Sequence, residues 1–221
     1  MTQNDAQPDA PLDPPAGEVL DPERDLTQAE EAASYVPAFR SLTAVLLFLL
    51  ITADVLALDM ALKAWSFEHV AGTPVVDLEQ AADNPAFWYD YRHEPTVVIP
   101  GVLNLRLVSN TGAVFGLGKG NRWFFVLASL AAICVIGMLF ARSDRRARLL
   151  HVALALVLAG ALGNLYDRWF YGVVRDMLHL FPSTELWPWV FNLADVSLLC
   201  GVGLILLITV QHEVHVRRSK S

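Results

Sequence analysis

The chain has 221 residues, is 54% hydrophobic and has a mean hydropathy of +0.41, which is too apolar for an ordinary soluble domain of this size. Its formal charge of −7 belongs to one end: residues 1–39 carry nine acidic residues and one Arg, whereas the other 182 residues carry 14 acidic and 15 basic. Basic residues this few and scattered exclude a nucleic-acid surface.

The acidic segment is rich in Pro, Ala, Asp and Glu. It cannot bury enough apolar surface to fold, so residues 1–40 are expected to form a disordered tail. It also lacks a charged region followed directly by an apolar one, so it does not read as a signal peptide.

Four apolar runs follow, at about Leu42–Leu62, Trp123–Phe140, Leu149–Tyr166 and Trp189–Val210. A bilayer needs roughly 20 apolar residues per helix, so each is a membrane span or nearly one. The second and third are short, which a slight thinning of the bilayer accommodates. Cys134 and Cys200 lie inside apolar runs and are expected to be small core hydrophobes. The first run ends in Asp59-Met-Ala-Leu-Lys63, an acid four residues before a base, which favours a helical ion pair. Asp54 lies deeper in that run and is expected to be buried against a polar neighbour.

The loop at 63–122 divides in two. Residues 68–95 hold three prolines and the cluster Phe87-Trp-Tyr89, and suit an amphipathic cap at the membrane interface. Residues 102–108 alternate, with Leu103, Leu105 and Leu107 on one face and Asn104 and Arg106 on the other, which predicts a strand. Asn110-Thr-Gly112 then turns the chain. The Asn110 amide either serves that turn or faces a peptide backbone.

The 141–148 loop is short and holds four arginines, and Arg217, Arg218 and Lys220 lie in the C-terminal tail, 212–221. By the positive-inside rule both are cytoplasmic, as is the N-terminus, so the 63–122 and 167–188 loops face outward.

In the third run, Ala159, Gly160 and Gly163 allow close approach of another helix. Asn164, Asp167 and Arg168 are spaced three and four apart and project from one helical face. They form either a local Asp–Arg anchor or a polar floor under Asp176. Asp176, in Gly172-Val-Val-Arg-Asp-Met177, and Asp195, in Phe191-Asn-Leu-Ala-Asp195, end two neighbouring runs joined by a hairpin. Both carboxylates are therefore expected at one membrane face. A carboxylate there is costly and needs a partner, and two that converge can activate a water. Asp195 could instead be only a first-turn helix carboxylate, but Asn192, three residues earlier, is placed to orient it. The six histidines show no metal-site spacing.

Five blocks occur in order: Asp59-x-x-x-Lys63, Asn110-Thr-Gly-Ala-Val-Phe-Gly116, Gly160-Ala-Leu-Gly-Asn-Leu-Tyr-Asp-Arg168, Gly172-x-Val-x-Asp176 and Phe191-Asn-Leu-Ala-Asp195. With this topology the chain resembles the lipoprotein signal peptidase family, also called signal peptidase II. The resemblance implies a mainly α membrane protein, residues 41–211, with four transmembrane helices, a small extracytoplasmic β-cradle and an interfacial helix. It implies a bacterial inner-membrane aspartyl endopeptidase, without metal or cofactor, that removes the signal peptide just before a diacylglyceryl-modified cysteine. Its partners would be prolipoprotein substrates and membrane lipids, and a monomer is the simplest expectation. Asp176 and Asp195 would be the catalytic pair, and Asn110, Gly112, Asn164, Asp167, Arg168, Asn192, Asp59 and Lys63 would support it or contact substrate. The departures are Met60, the long tail, the insertion at 68–95, and Arg175 and Met177 beside Asp176. Arg175 is expected to face the lipid headgroups.

The rival from another class is a small transporter or assembly factor whose acids carry protons. That predicts acids spread through the bilayer, whereas Asp59, Asp167, Asp176 and Asp195 group at one face and only Asp54 lies deeper.

Overall fold

A computed structural model describes residues 35–70, 94–112, 121–184 and 187–219. The acidic tail up to residue 34, most of the 68–95 insertion with its interfacial cap, and Ala113–Gly116 of the second block lie outside the described residues.

Four helices carry the fold: α1 Leu42–Trp65, α2 Arg122–Arg142, α3 Arg148–Phe170 and α4 Leu193–Ser219. Each is long and apolar enough to cross a membrane. Ser41 caps α1, its side chain accepting from the Ala44 amide at 3.4 Å, and a π-helical turn at Ser66–Val70 follows. The second and third spans are longer than hydropathy suggests. Helix α3 continues through the polar turn Asn164–Arg168, because those side chains find partners on neighbouring elements rather than facing lipid.

Helix α3 is central and packs against α1, α2 and α4. Half of its most apolar stretch is buried, against 17% for each of the others. Its inward positions include Ala153, Ala155, Ala159, Gly160, Ala161 and Gly163, and small residues are what allow helix backbones to approach in a membrane. A Cβ on Gly160 would meet the Ala194 carbonyl and lie 2.7 Å from Ser197 Oγ, and one on Gly201 would lie 2.7 Å from the Ala153 carbonyl. At the far end from the sheet, Phe48 stacks on Phe140 at 4.2 Å within a cluster that includes Ile136 and Leu154.

A four-stranded antiparallel sheet caps one end: β1 Thr96–Ile99, β2 Leu103–Asn110, β3 Val174–Leu180 and β4 Val190–Phe191, in that order. The alternation at 102–108 is realised in β2, where Leu105 and Leu107 are buried and Arg106 is exposed. Phe67, Tyr171, Val173 and Met177 complete the core beneath the sheet. Gly172, at φ +73°, turns the chain from α3 into β3, and only glycine takes that conformation readily.

Three expectations are corrected. The fourth helix starts at Leu193, not Trp189, because Val190 and Phe191 pair with His179 and Leu178 of β3. Cys134 and Cys200 are exposed rather than in the core. Asp54 is exposed too. The inward stripe of α1 is Ala44, Phe48, Thr52, Asp59 and Lys63, and Asp54, two residues after Thr52, lies about 200° around the helix from it. In a bilayer an apolar run does not reveal its inward face, since lipid solvates apolar side chains as well as the core does.

Gly160→Ala is expected to lower the stability of the purified protein by about 1–3 kcal/mol through overpacking against α4. Gly203→Ala, where a Cβ meets nothing within 4 Å, leaves it unchanged or slightly raised. Denaturation in detergent compares the two.

Candidate active site

The site is built where β3 and the start of α4 meet the polar end of α3. Asp176 sits in β3 opposite Val108 of β2, with Asn110 two residues further along the same face. Asn110 Nδ2 donates to Asp176 Oδ2 at 3.1 Å, and its Oδ1 accepts the Gly112 amide at 3.0 Å. Asn110 thus serves the turn, as one sequence reading has it, and also holds a carboxylate, which neither reading anticipates.

Asp195 lies in the first turn of α4. Its amide donates to Asn192 Oδ1 at 2.9 Å, while its Oδ2 accepts the Asn192 amide at 3.3 Å. This is a reciprocal cap built from Asn and Asp, which satisfies helix-end donors and fixes both side chains. The helix-cap reading and the orienting reading of Asn192 are one geometry.

Two asparagines couple the carboxylates. Asn192 Nδ2 donates to Asp176 Oδ1 at 2.7 Å and to Asn164 Oδ1 at 3.1 Å. Asn164 Nδ2 donates to Asp195 Oδ1 at 2.8 Å. The order Asp176, Asn192, Asn164, Asp195 is thus continuous in hydrogen bonds. Asp176 and Asn192 are buried, whereas Asp195 is half-buried. Burial, together with the negative charge of Asp195, holds the Asp176 carboxyl well above the ordinary carboxylate range; the Asn110 amide, Lys63 and the Asn192 amide oppose this more weakly.

A second layer lies behind. Lys63, fully buried, pairs with Asp59 at 2.8 Å and with Asp167 at 3.1 Å. Asp59 Oδ1 accepts the Ala194 amide at 2.9 Å. A Cβ on Gly163 would stand 2.6 Å from Asp59 Oδ2, so this position needs glycine for space. Asp167 takes Arg175 as its second cation, at 2.8 Å. Arg168 turns away from Asp167: its Nη2 donates to the Gly112 carbonyl at 3.0 Å, and the guanidinium lies 4.9 Å from the Phe125 ring centre. It thereby ties the end of β2 to α3.

The ten sequence-indicated residues form two groups, Asp176, Asp195, Asn110, Gly112, Asn164, Arg168 and Asn192 in one and Asp59, Lys63 and Asp167 in the other, and Arg175 joins them by bonding both Asp167 and Asn192. Arg168 joins the first group through Gly112. Arg175 corrects an expectation. It is 2% exposed and paired with Asp167, not turned to the headgroups. The sequence signal was a lone cation beside Asp176 in the run Val173–Met177; adjacent strand residues point to opposite faces, so Arg175 needs a partner other than Asp176, and Asp167 supplies it.

Four helices able to cross a membrane, with a polar, carboxylate-lined cluster under a small sheet, define a class, the multi-pass membrane proteins, and comparison with known proteins makes it specific. The family described as signal peptidase (SPase) II matches residues 51–211. A lipoprotein signal peptidase of Latilactobacillus sakei is 35% identical over 162 residues, covering 72% of this chain and 89% of that protein. One from Symbiobacterium thermophilum is 43% identical over 117 residues, covering 52% and 75%. A bacterial membrane enzyme solved by the in meso method at 2.3 Å superposes with a TM-score of 0.61 at 25% identity, covering 80% of this chain and 92% of that one. The chain belongs to the signal peptidase II family of membrane proteases.

Lys63→Met leaves Asp59 buried without its cation and Asp167 with Arg175 alone. The expected loss of stability is about 3–5 kcal/mol, as for other broken buried pairs, read from denaturant unfolding of the purified protein.

Proposed function

We propose that this protein is an aspartyl endopeptidase that cuts diacylglyceryl-modified prolipoproteins just before the lipidated cysteine, with Asp176 and Asp195 as its catalytic pair. The supporting observation is that both carboxylates are joined through Asn192 and Asn164. Family membership supplies the reaction class.

Asp176, more buried than Asp195, keeps a proton to higher pH than a free carboxylate, so it holds the one proton of the pair at working pH. Asp195, the more accessible group, takes a proton from a water whose oxygen bonds to the scissile carbonyl carbon. Asp176 gives its proton to the carbonyl oxygen. On collapse, the C–N bond breaks, the leaving amine takes the proton from Asp195, and Asp176 recovers its own. The pair ends as it began, with one proton. No metal enters this scheme.

Asn110, Asn164 and Asn192 hold the carboxylate oxygens in direction. Gly112 and Arg168 fix the end of β2, where the substrate backbone would run. Asp59, Lys63 and Asp167 support both aspartates from behind. The acyl chains of the substrate lie between helices and set the depth of the modified cysteine. The arginine-bearing loop at 141–148 and both termini face the cytoplasm, and the sheet faces outward. The enzyme acts as a monomer in a bacterial inner membrane.

Asp176→Asn and Asp195→Asn should each abolish cleavage of a diacylglyceryl-modified prolipoprotein in detergent while the protein still inserts and folds. Substantial residual cleavage by either variant would sink the pair. The unlipidated precursor should remain uncut; equal cleavage of both would point to an intramembrane protease of plain helices. EDTA should leave the rate unchanged.

The pH profile follows from the raised Asp176 value. Activity requires the proton on Asp176, so it persists past the usual carboxylate range and falls as pH rises through the higher value. Asn110 donates to Asp176 and pulls that value down. Asn110→Ala should therefore move the alkaline limb to higher pH, whatever it does to the maximal rate.

A further inference from the structure

Arg175 directly precedes Asp176 in β3, and its polar groups are held within the bundle. Nε and Nη2 donate to Asp167 Oδ1 at 3.1 and 2.8 Å. The main-chain amide donates to the other oxygen of the same carboxylate at 3.0 Å. The carbonyl accepts from Asn192 Nδ2 at 3.4 Å, the same amide that holds Asp176. The guanidinium lies 4.3 Å from the Tyr171 ring centre.

From Asp167 the connection continues through Lys63 to Asp59, and Asp59 accepts the amide of Ala194. Ala194 directly precedes Asp195. A single buried series, Arg175, Asp167, Lys63 and Asp59, therefore begins at the residue before one carboxylate and ends on the main-chain amide of Ala194, the residue before the other. Two acids and two bases make it neutral.

We propose that Arg175 is a positioning residue: by gripping Asp167 with both side chain and main chain, it closes this series and fixes where Asp176 stands relative to Asp195. The proposal rests on the reading of those two aspartates as the catalytic pair. Stability alone does not call for a guanidinium here, since apolar groups of similar volume often replace buried ion pairs without loss. What a guanidinium adds is geometry. Its fixed fork places two donors on one oxygen, while the strand amide takes the other, so neither Asp167 nor β3 can rotate independently. Lysine would keep the charge and lose the fork. A misplacement of about 1 Å can cost on the order of 100-fold in rate.

The test compares wild type, Arg175→Lys, Arg175→Met and Asp176→Asn as purified full-length proteins. Folded fractions are isolated by size exclusion in detergent. Thermal midpoints, kcat, KM and pH profiles are measured on a diacylglyceryl-modified prolipoprotein. Arg175→Lys is expected to fold like wild type, with kcat lowered about 10- to 100-fold, KM within about twofold and the alkaline limb unmoved. Arg175→Met, if it folds, should lose at least as much kcat. Wild-type kcat in Arg175→Lys overturns the proposal. So does a shift of the alkaline limb that accounts for the lost rate, which would mean the charge acts through its field. Failure of Arg175→Lys to fold would assign the residue to stability alone and overturns it as well. Asp176→Asn separates the two readings: if it still cleaves, the catalytic pair is wrong, whereas an inert Asp176→Asn beside a fully active Arg175→Lys removes only the positioning role.

Discussion

Lys63 has no exposed surface, and the site is arranged around its ammonium. A buried cation in a membrane protein is tolerable only when paired, and Lys63 is held by Asp59 from its own helix and Asp167 from α3. Each of those acids then needs further donors. Asp59 finds the first turn of α4, and Asp167 finds β3. Satisfying one charge thus fixes the relative placement of four separate elements. The short, directional bonds of the asparagine layer can form only because this placement is already made.

Close packing makes the arrangement possible. Helix α3 brings its charged end against α1 and α4 because Gly160 and Gly163 present no side chain at the crossings; at Gly163 the space is filled by Asp59 itself. The glycine that permits helix contact and the carboxylate that uses it belong to one contact. The sheet contributes direction. Strand β3 alternates its side chains, so Arg175 goes to Asp167 while Asp176 goes to Asn110 and Asn192. The two adjacent charges never compete for one partner.

Much of this was legible beforehand for a simple reason. Polar groups in apolar runs are expensive, so each one stands out and requires a partner. The pair Asp59–Lys63 and the shared face of Asn164, Asp167 and Arg168 follow from helical spacing alone. The strand before Asn110 follows from period-two alternation. Spacing cannot say which partner a group takes across the bundle. Asp167 could have paired with its neighbour Arg168, and instead takes Lys63 and Arg175. Asn110 was legible as a turn residue, and its bond to Asp176 depended on the register of β2 against β3. Asp54, Cys134 and Cys200 were misplaced because lipid rewards apolar neighbours on every side of a helix.

The sequence by itself determined the spans, the grouping of the acids at one membrane face and the family, because hydropathy and the order of the five blocks are properties of the chain. Only the tertiary structure decided the pairing: Arg175 to Asp167, Asn192 to Asp176, Asn164 to Asp195, and Asp59 to the α4 amide. Those bonds join residues up to 135 positions apart. They depend on distances of about 3 Å that no local periodicity encodes, and they are set when the helices close on α3.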